Sequence, residues 1–265
     1  MLRTRILSAM VFAPALLWVI YEGGFVCQMV CWVLSLLMLW ELLSMSPADG
    51  KSPVALTTYG VTAATSAAIL GFIPPADAAL ILPAGILGIW VAFLGRVGSI
   101  EKALITVGTM VLGVVYCGAM IPYLARIREM DGGLGLALAA LFCTWSGDTG
   151  AYFAGRALGK NKLAPVISPK KTIEGAVGGV IAAIAMAFIL RHFFMPDLAA
   201  LHTFAVGAIA AIAGIVGDLC ESLLKRSTGI KDSSNLIPGH GGVLDRFDGV
   251  MFAAPAIFLY VSLVV

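Results

Sequence analysis

Nine apolar runs divide the chain, at about residues 5–21, 25–45, 54–73, 78–95, 103–124, 133–155, 173–193, 199–224 and 249–265. Each approaches the roughly 20 residues a helix needs to cross a bilayer. Ala, Gly and Thr dilute the third and fourth. The breaks between runs are short and polar: EGG, SPADGKSP, PPADA, GRVGSIEK, REMDGG and MPD. Two breaks are longer. RALGKNKLAPVISPKKT covers residues 156–172, and KRSTGIKDSSNLIPGHGGVLDRFDG covers 225–249. The pattern predicts an all-α integral membrane protein with about nine transmembrane helices.

The placement of cations orients this arrangement. With nine crossings, one side receives the N-terminus and the loops after the second, fourth, sixth and eighth helices. That side holds Arg3, Arg5, Lys51, Arg96, Lys102, Arg156, Lys160, Lys162, Lys170, Lys171, Lys225, Arg226, Lys231 and Arg246. The other side holds Arg126, Arg128 and Arg191. Lys and Arg collect in cytoplasmic loops, so the N-terminus and both long loops are expected in the cytoplasm. The start, MLRTRILSAMVFAPALLWVI, has a basic head and an A-x-A at Ala13–Ala15. Its apolar run continues past that point to Ile20, which favours a retained first helix over a cleaved leader.

Composition agrees. Of 265 residues, 60% are hydrophobic and 12% charged, against about 25% charged in soluble domains. Too few polar residues are present to cover a soluble all-α domain. A net charge of +2 leaves no basic excess for nucleic acid. Cys27, Cys31, Cys117, Cys143 and Cys220 lie in apolar segments without a C-x-x-C pair, and read as small buried hydrophobes. The chain divides into residues 1–130, transmembrane scaffold, and 131–265, which carries the unusual chemistry. Gly175 and Gly179 have GxxxG spacing, which among 30 glycines signals close helix packing at most.

An ionisable group inside a span is costly and points to function. Glu41, Asp148, Glu174, Asp218 and Glu221 qualify. Asp218, Glu221, Ser222 and Lys225 are spaced i, i+3, i+4, i+7, which gathers them on one helix face, continued by Arg226. Snorkelling accounts for the two cations but not for Asp218, two turns deeper. Asp148 shares a face with Tyr152 and Arg156, as a structural pair or as part of a site. In the last loop, Asp245 and Asp248 flank Arg246 before the final helix. Carboxylates from separate helix ends suit Mg²⁺, which keeps one or two of them and takes water and phosphate as its other ligands. Asp218 and Asp245 are the best pair. Gly241 and Gly242 allow backbone N–H groups to approach a phosphate. His240 between such glycines either donates to phosphate or braces the loop. In SPKKTIEG, Thr172 is a candidate N-cap with Glu174 in the first turn. Lys170 and Lys171 beside it make an anion site or an anchor for anionic headgroups. GRALGK is not a P-loop: three residues separate its glycines where four are required, and no strand precedes it. Carboxylates, cations and glycines at one mouth of an apolar bundle suggest an enzyme joining a phosphate-bearing lipid to a soluble phosphate compound.

The stretch SLLKRSTGIKDSSNLIPGHGGVLDRFD, Ser222 to Asp248, resembles the signature of the phosphatidate cytidylyltransferases, or CDP-diacylglycerol synthases. The matching positions are Ser222, Lys225, Arg226, Lys231, Asp232, Pro238, His240, Gly241, Gly242, Asp245, Arg246 and Asp248. DTGAYFAGR and SPKKTIEG are also similar to that family. The resemblance implies transfer of CMP from CTP to phosphatidic acid, giving CDP-diacylglycerol and pyrophosphate in phospholipid biosynthesis. It implies Mg²⁺, alone or in a two-cation centre, and a multi-pass homodimer in the bacterial cytoplasmic membrane. Metal falls on Asp218 and Asp245, with Asp148 and Asp248 completing the shell. Catalytic roles fall on Asp218, Asp245, Lys225, Arg226 and His240. Substrate binding falls on Lys170, Lys171, Ser222, Lys231, Arg246, Gly241 and Gly242. A CTP-dependent lipid kinase and a secondary transporter are the rival readings.

Overall fold

The computed structural model describes residues 2–46, 50, 52–95 and 100–265, with side chains at Ser8 and from Met10 onward. Its helices are α1 (Leu2–Glu22), α2 (Gly24–Met45), α3 (Pro53–Ile69), α4 (Pro75–Leu94), α5 (Ala103–Gly113), α6 (Tyr123–Arg128), α7 (Gly133–Leu158), α8 (Ile173–Phe194), α9 (Ala200–Ser227) and α10 (Leu244–Val264). A π-helical segment, Val114–Ala119, joins α5 to α6. The described residues therefore form nine helical rods, one for each apolar run. Six rods are long and apolar enough to cross a membrane: α2, α4, α8, α9, α10 and the composite Ala103–Arg128. The protein is thus mostly helical, as an all-α membrane protein is. In α7 the length suffices but the polar second half, TWSGDTGAYFAGRAL, lowers its hydropathy.

Local chemistry explains several boundaries. Ser52 caps α3 by accepting from Ala55 N at 3.2 Å, with Pro53 at the first helical position. Thr172 caps α8, accepting from Gly175 N at 3.1 Å, as the sequence predicts. In hydrocarbon every backbone group needs an internal partner. The π segment disturbs the regular ladder, and Ser66 of α3 lies 2.8 Å from the carbonyl of Gly118 and 2.8 Å from Ser35 Oγ. These buried bonds tie α2, α3 and the π segment together.

The expectation of helices alone is corrected in one place. Within the basic 156–172 segment, β1 (Lys162–Ala164) pairs antiparallel with β2 (Ser168–Thr172), Lys162 opposite Thr172 and Ala164 opposite Ser168. Glu174 anchors the base of this hairpin. Its carboxylate accepts from Lys160 N at 3.1 Å and from Asn161 Nδ2 at 2.7 Å.

The closest helix pair is α7 with α8. A Cβ on Gly179 would come within 2.8 Å of Gly147 O, and one on Gly175 within 2.8 Å of Ala151 O. The Gly175/Gly179 spacing is therefore a real packing seam. Gly150 faces it too: a Cβ there would lie 2.5 Å from Ala182 Cβ and 2.9 Å from Gly178 O. Backbone cannot yield as a side-chain tip can, so Gly150→Leu is expected to wedge the helices apart. Overpacking of this kind costs about 1–3 kcal/mol, and the thermal melt in detergent should fall by several degrees. An unchanged melt would mean the seam opens freely.

The ends of the bundle differ in character. The C-terminal ends of α7 and α9 and the starts of α8 and α10 meet at one end, beside Ser8 of α1. At the opposite end, Arg128 donates to Ile20 O at 2.7 Å and Tyr21 O at 2.9 Å, and Arg191 donates to Leu198 O at 2.5 Å. Lys51 and Arg96, two cations used to orient the chain, lie outside the described residues. Arg3 and Arg5 lie where only backbone is described.

Candidate active site

A cavity of about 500 Å³ sits at the end where α7, α9 and α10 converge. Asp148, Asp218, Lys225, His240, Asp245, Arg246 and Asp248 all line it. Sequence positions 148 to 248 are thus brought to one wall by four separate elements. Asp148 and Asp248 are also within electrostatic range of Asp218.

The stripe on α9 has the expected geometry. Ser222 Oγ donates to Asp218 Oδ1 at 3.2 Å, and Lys225 Nζ meets Glu221 Oε2 at 2.6 Å. Lys225 also meets Asp245 Oδ1 at 2.6 Å. Lys171, from β2, pairs with Asp218 Oδ2. Glu221 is 1% exposed, and its Oε1 has no hydrogen-bond partner among the described residues.

The loop between α9 and α10 folds around two carboxylates. Asp245 Oδ2 accepts from Ser233 N at 2.9 Å, Ser233 Oγ at 2.8 Å and Gly242 N at 2.8 Å. With Lys225 on Oδ1, Asp245 accepts four bonds, about the full capacity of a carboxylate. The second carboxylate is Glu41, from α2. It is fully buried and accepts from Val243 N at 2.8 Å, Leu244 N at 2.6 Å, Ser234 Oγ at 2.6 Å and Ser233 Oγ at 3.3 Å. Glu41 thereby satisfies N–H groups at the start of α10, where an anion is also favoured by the helix dipole. Gly241 has φ 84, and a Cβ there would lie 2.7 Å from Asp245 Oδ2. A Cβ on Gly242 would collide with Ser233 Oγ and Glu41 Oε1. In this structure the two glycines serve loop closure, and the Gly242 N–H is spent on Asp245. His240 Nδ1 lies 2.8 Å from Ser8 Oγ, a contact between the loop and α1.

The remaining predicted residues are not among those lining this cavity. Lys170 and Lys171 line a neighbouring cavity together with Asp148 and Asp218. Arg226 and Lys231 are exposed. Arg156 donates to Tyr152 Oη at 3.2 Å. The cysteines are all free, and all but Cys220 are buried. Reasoning from sequence flagged Glu41 as a buried charge but gave it no role, because its partners are some 200 positions away. Ser8, Ser233 and Ser234 escaped notice, since a serine in a loop or an apolar helix carries no distinguishing signal.

Among the described residues no three His, Cys, Asp or Glu side chains are disposed as a ready metal cage. Mg²⁺ takes only one or two protein carboxylates, with water and phosphate as its other ligands. Asp148, Asp218 and Asp248 share the open wall and fit such a cation. Asp248 Oδ1 accepts from Gly249 N at 2.7 Å and keeps acceptor capacity. Asp245 lines the same cavity; its Oδ2 is engaged by the loop and its Oδ1 by Lys225, so a cation there would compete with Lys225.

The chain is similar in sequence to several proteins of known name. The phosphatidate cytidylyltransferase of Bacillus subtilis is 40% identical over 158 residues, 59% of each chain. That of Staphylococcus saprophyticus is 35% identical over 267 residues, covering 95% of this chain and 94% of its own. That of Haemophilus influenzae is 50% identical over 127 residues, 46% of this chain and 44% of its own. The profile of the cytidylyltransferase family matches residues 3–264. A site of carboxylates and cations, with a match that runs almost end to end, places the chain among nucleotidyl-transferring enzymes: it belongs to the cytidylyltransferase family.

Proposed function

We propose that the protein is a phosphatidate cytidylyltransferase, acting as a nine-span homodimer with its N-terminus and site on the cytoplasmic face of the bacterial inner membrane. The observation that carries the reading is the convergence of Asp148, Asp218, Asp245, Arg246 and Asp248 on one cavity at one end of the bundle. The relatives' names supply the substrates, CTP and phosphatidate, and the resemblance supplies the dimer. The cation asymmetry supports the orientation. Residues 1–130 act as scaffold and 131–265 as the catalytic half, the scaffold reaching the site through Ser8, Phe12 and Ala13 of α1 and bracing its loop through Glu41.

The first cavity takes the nucleotide. Arg246, with the exposed Arg226 and Lys231, holds triphosphate charge. A phosphate oxygen of the lipid attacks the α-phosphorus of CTP, the bond from that phosphorus to the bridging oxygen breaks, and pyrophosphate leaves. Asp218 and Asp245, with Asp148 and Asp248, would hold Mg²⁺, and Asp245 also sets the loop and the Lys225 position beside them. When bound, Mg²⁺ neutralises charge on the reacting phosphates and aligns them. Lys225 lies between Glu221 and Asp245, placed to meet charge building on the leaving group. His240 holds the loop against α1 and orients the cavity rim.

Incubation of purified protein with α-labelled CTP, Mg²⁺ and phosphatidate tests the reading. Label should pass to the lipid and pyrophosphate should appear. Label left on CDP would make the protein a lipid kinase. Counterflow of a phosphorylated solute without chemical conversion would make it a transporter.

A further inference from the structure

The second cavity, about 420 Å³, shares a wall with the first. Asp148 and Asp218 line both. Its other polar residues are Tyr152 and Arg156 of α7 and Lys170, Lys171 and Thr172 of β2, and the remaining walls are small or apolar, Ala176 and Ile215 among them. Three cations thus face two carboxylates, and one of those carboxylates, Asp218, already holds Lys171. Arg156 and Lys170 are exposed. Such a surplus on a mostly apolar wall fits a ligand with a compact anionic head and a hydrocarbon body.

The surroundings indicate where that ligand comes from. Leu158, at the end of α7, is 65% exposed, and Val166, at the turn of the hairpin, is 93% exposed. Lysines 160, 162 and 170 flank this turn. Aliphatic side chains presented beside lysines match the headgroup boundary of a bilayer, where apolar groups enter the lipid and cations meet anionic headgroups.

We propose that the second cavity seats the phosphate of a phosphomonoester lipid on Lys171, Lys170 and Arg156, and that this phosphate draws Lys171 away from Asp218. The proposal rests on the reaction read above and assigns its acceptor site. Without the lipid, Lys171 neutralises Asp218. With the lipid in place, the Asp218 carboxylate is bared toward the first cavity, on the opposite side of the same wall. Binding of the lipid phosphate and of a divalent cation therefore reinforce each other, reciprocally.

The test measures binding by the full chain in detergent, without turnover. The probes are dioctanoyl phosphatidate, inorganic phosphate, CTP and Mg²⁺. Losing one charge-assisted contact to phosphate should weaken phosphatidate binding about tenfold to a hundredfold in Lys171→Gln. Lys171→Arg should recover most of that loss, and both variants should melt like the wild type. CTP affinity in Lys171→Gln should change by less than about threefold, and inorganic phosphate should fail to displace the lipid. In the wild type, phosphatidate should tighten Mg²⁺ binding, and in Lys171→Gln this coupling should vanish. Undiminished phosphatidate binding in Lys171→Gln overturns the proposal. So does an equal loss of CTP affinity, which would give the cavity to the nucleotide, or displacement by inorganic phosphate at the lipid's own affinity. Failure of the reaction itself is separate: it is read in the wild type, as absence of label in lipid from α-labelled CTP.

Discussion

Asp218→Asn is expected to lower kcat about a thousandfold or more while the protein stays folded in the membrane. Asp218 lines both cavities, as Asp148 does, and joins the α9 stripe to the hairpin through Lys171. Asparagine keeps the size and the bond from Ser222 but removes the charge. Several kcal/mol of electrostatic stabilisation are at stake at a metal-assisted centre, and about 4 kcal/mol corresponds to roughly a thousandfold. Raised Mg²⁺ should recover part of the rate if the lost charge served a cation. Melting temperature and elution profile serve as the folding control. Activity within tenfold of wild type at ordinary Mg²⁺ would remove Asp218 from the centre.

Glu41→Ala is expected to cost at least a hundredfold in kcat/KM, although Glu41 lies in α2 and is not among the residues lining the cavity. The substitution strands the N–H groups of Val243 and Leu244 and the hydroxyl of Ser234. Each buried donor left without an acceptor costs about 1–3 kcal/mol. The loop carrying Ser233 then loses one of its two anchors, and Asp245 is set free with it. Protease cleavage within 228–243 should accelerate, and hydrogen exchange at Val243 and Leu244 should rise. Glu41→Gln should fall between, since its amide retains one acceptor oxygen but turns an N–H₂ toward donors. A loop in Glu41→Ala that stays as protected as in wild type would reduce Glu41 to a bystander.

The helical rods were legible because a span must be apolar along its whole length, whatever it packs against. Run 173–193 became Ile173–Phe194, and run 199–224 became Ala200–Ser227. The last helix begins at Leu244 rather than near 249. The charged DRFD lies within its first turns because Glu41 and the loop satisfy that end. The hairpin at 162–172 was not legible. Its strands are three and five residues long, too short to show a period against a background of lysine and proline. The α9 stripe could be read, because its spacing is local. The Lys171–Asp218 and Glu41–Leu244 contacts could not, because nothing local in a sequence records which distant groups share a buried charge.

The clamp from α2 also sets a timetable for the newborn chain. Residue 41 leaves the ribosome some 200 residues ahead of the backbone that will surround it, so for most of synthesis its carboxylate must find water or a proton. Maturation of the reaction centre is thereby deferred until the final helix is threaded. An arrested or clipped polypeptide would lodge in the bilayer yet remain inert, and a late-added C-terminal fragment could in turn wake it.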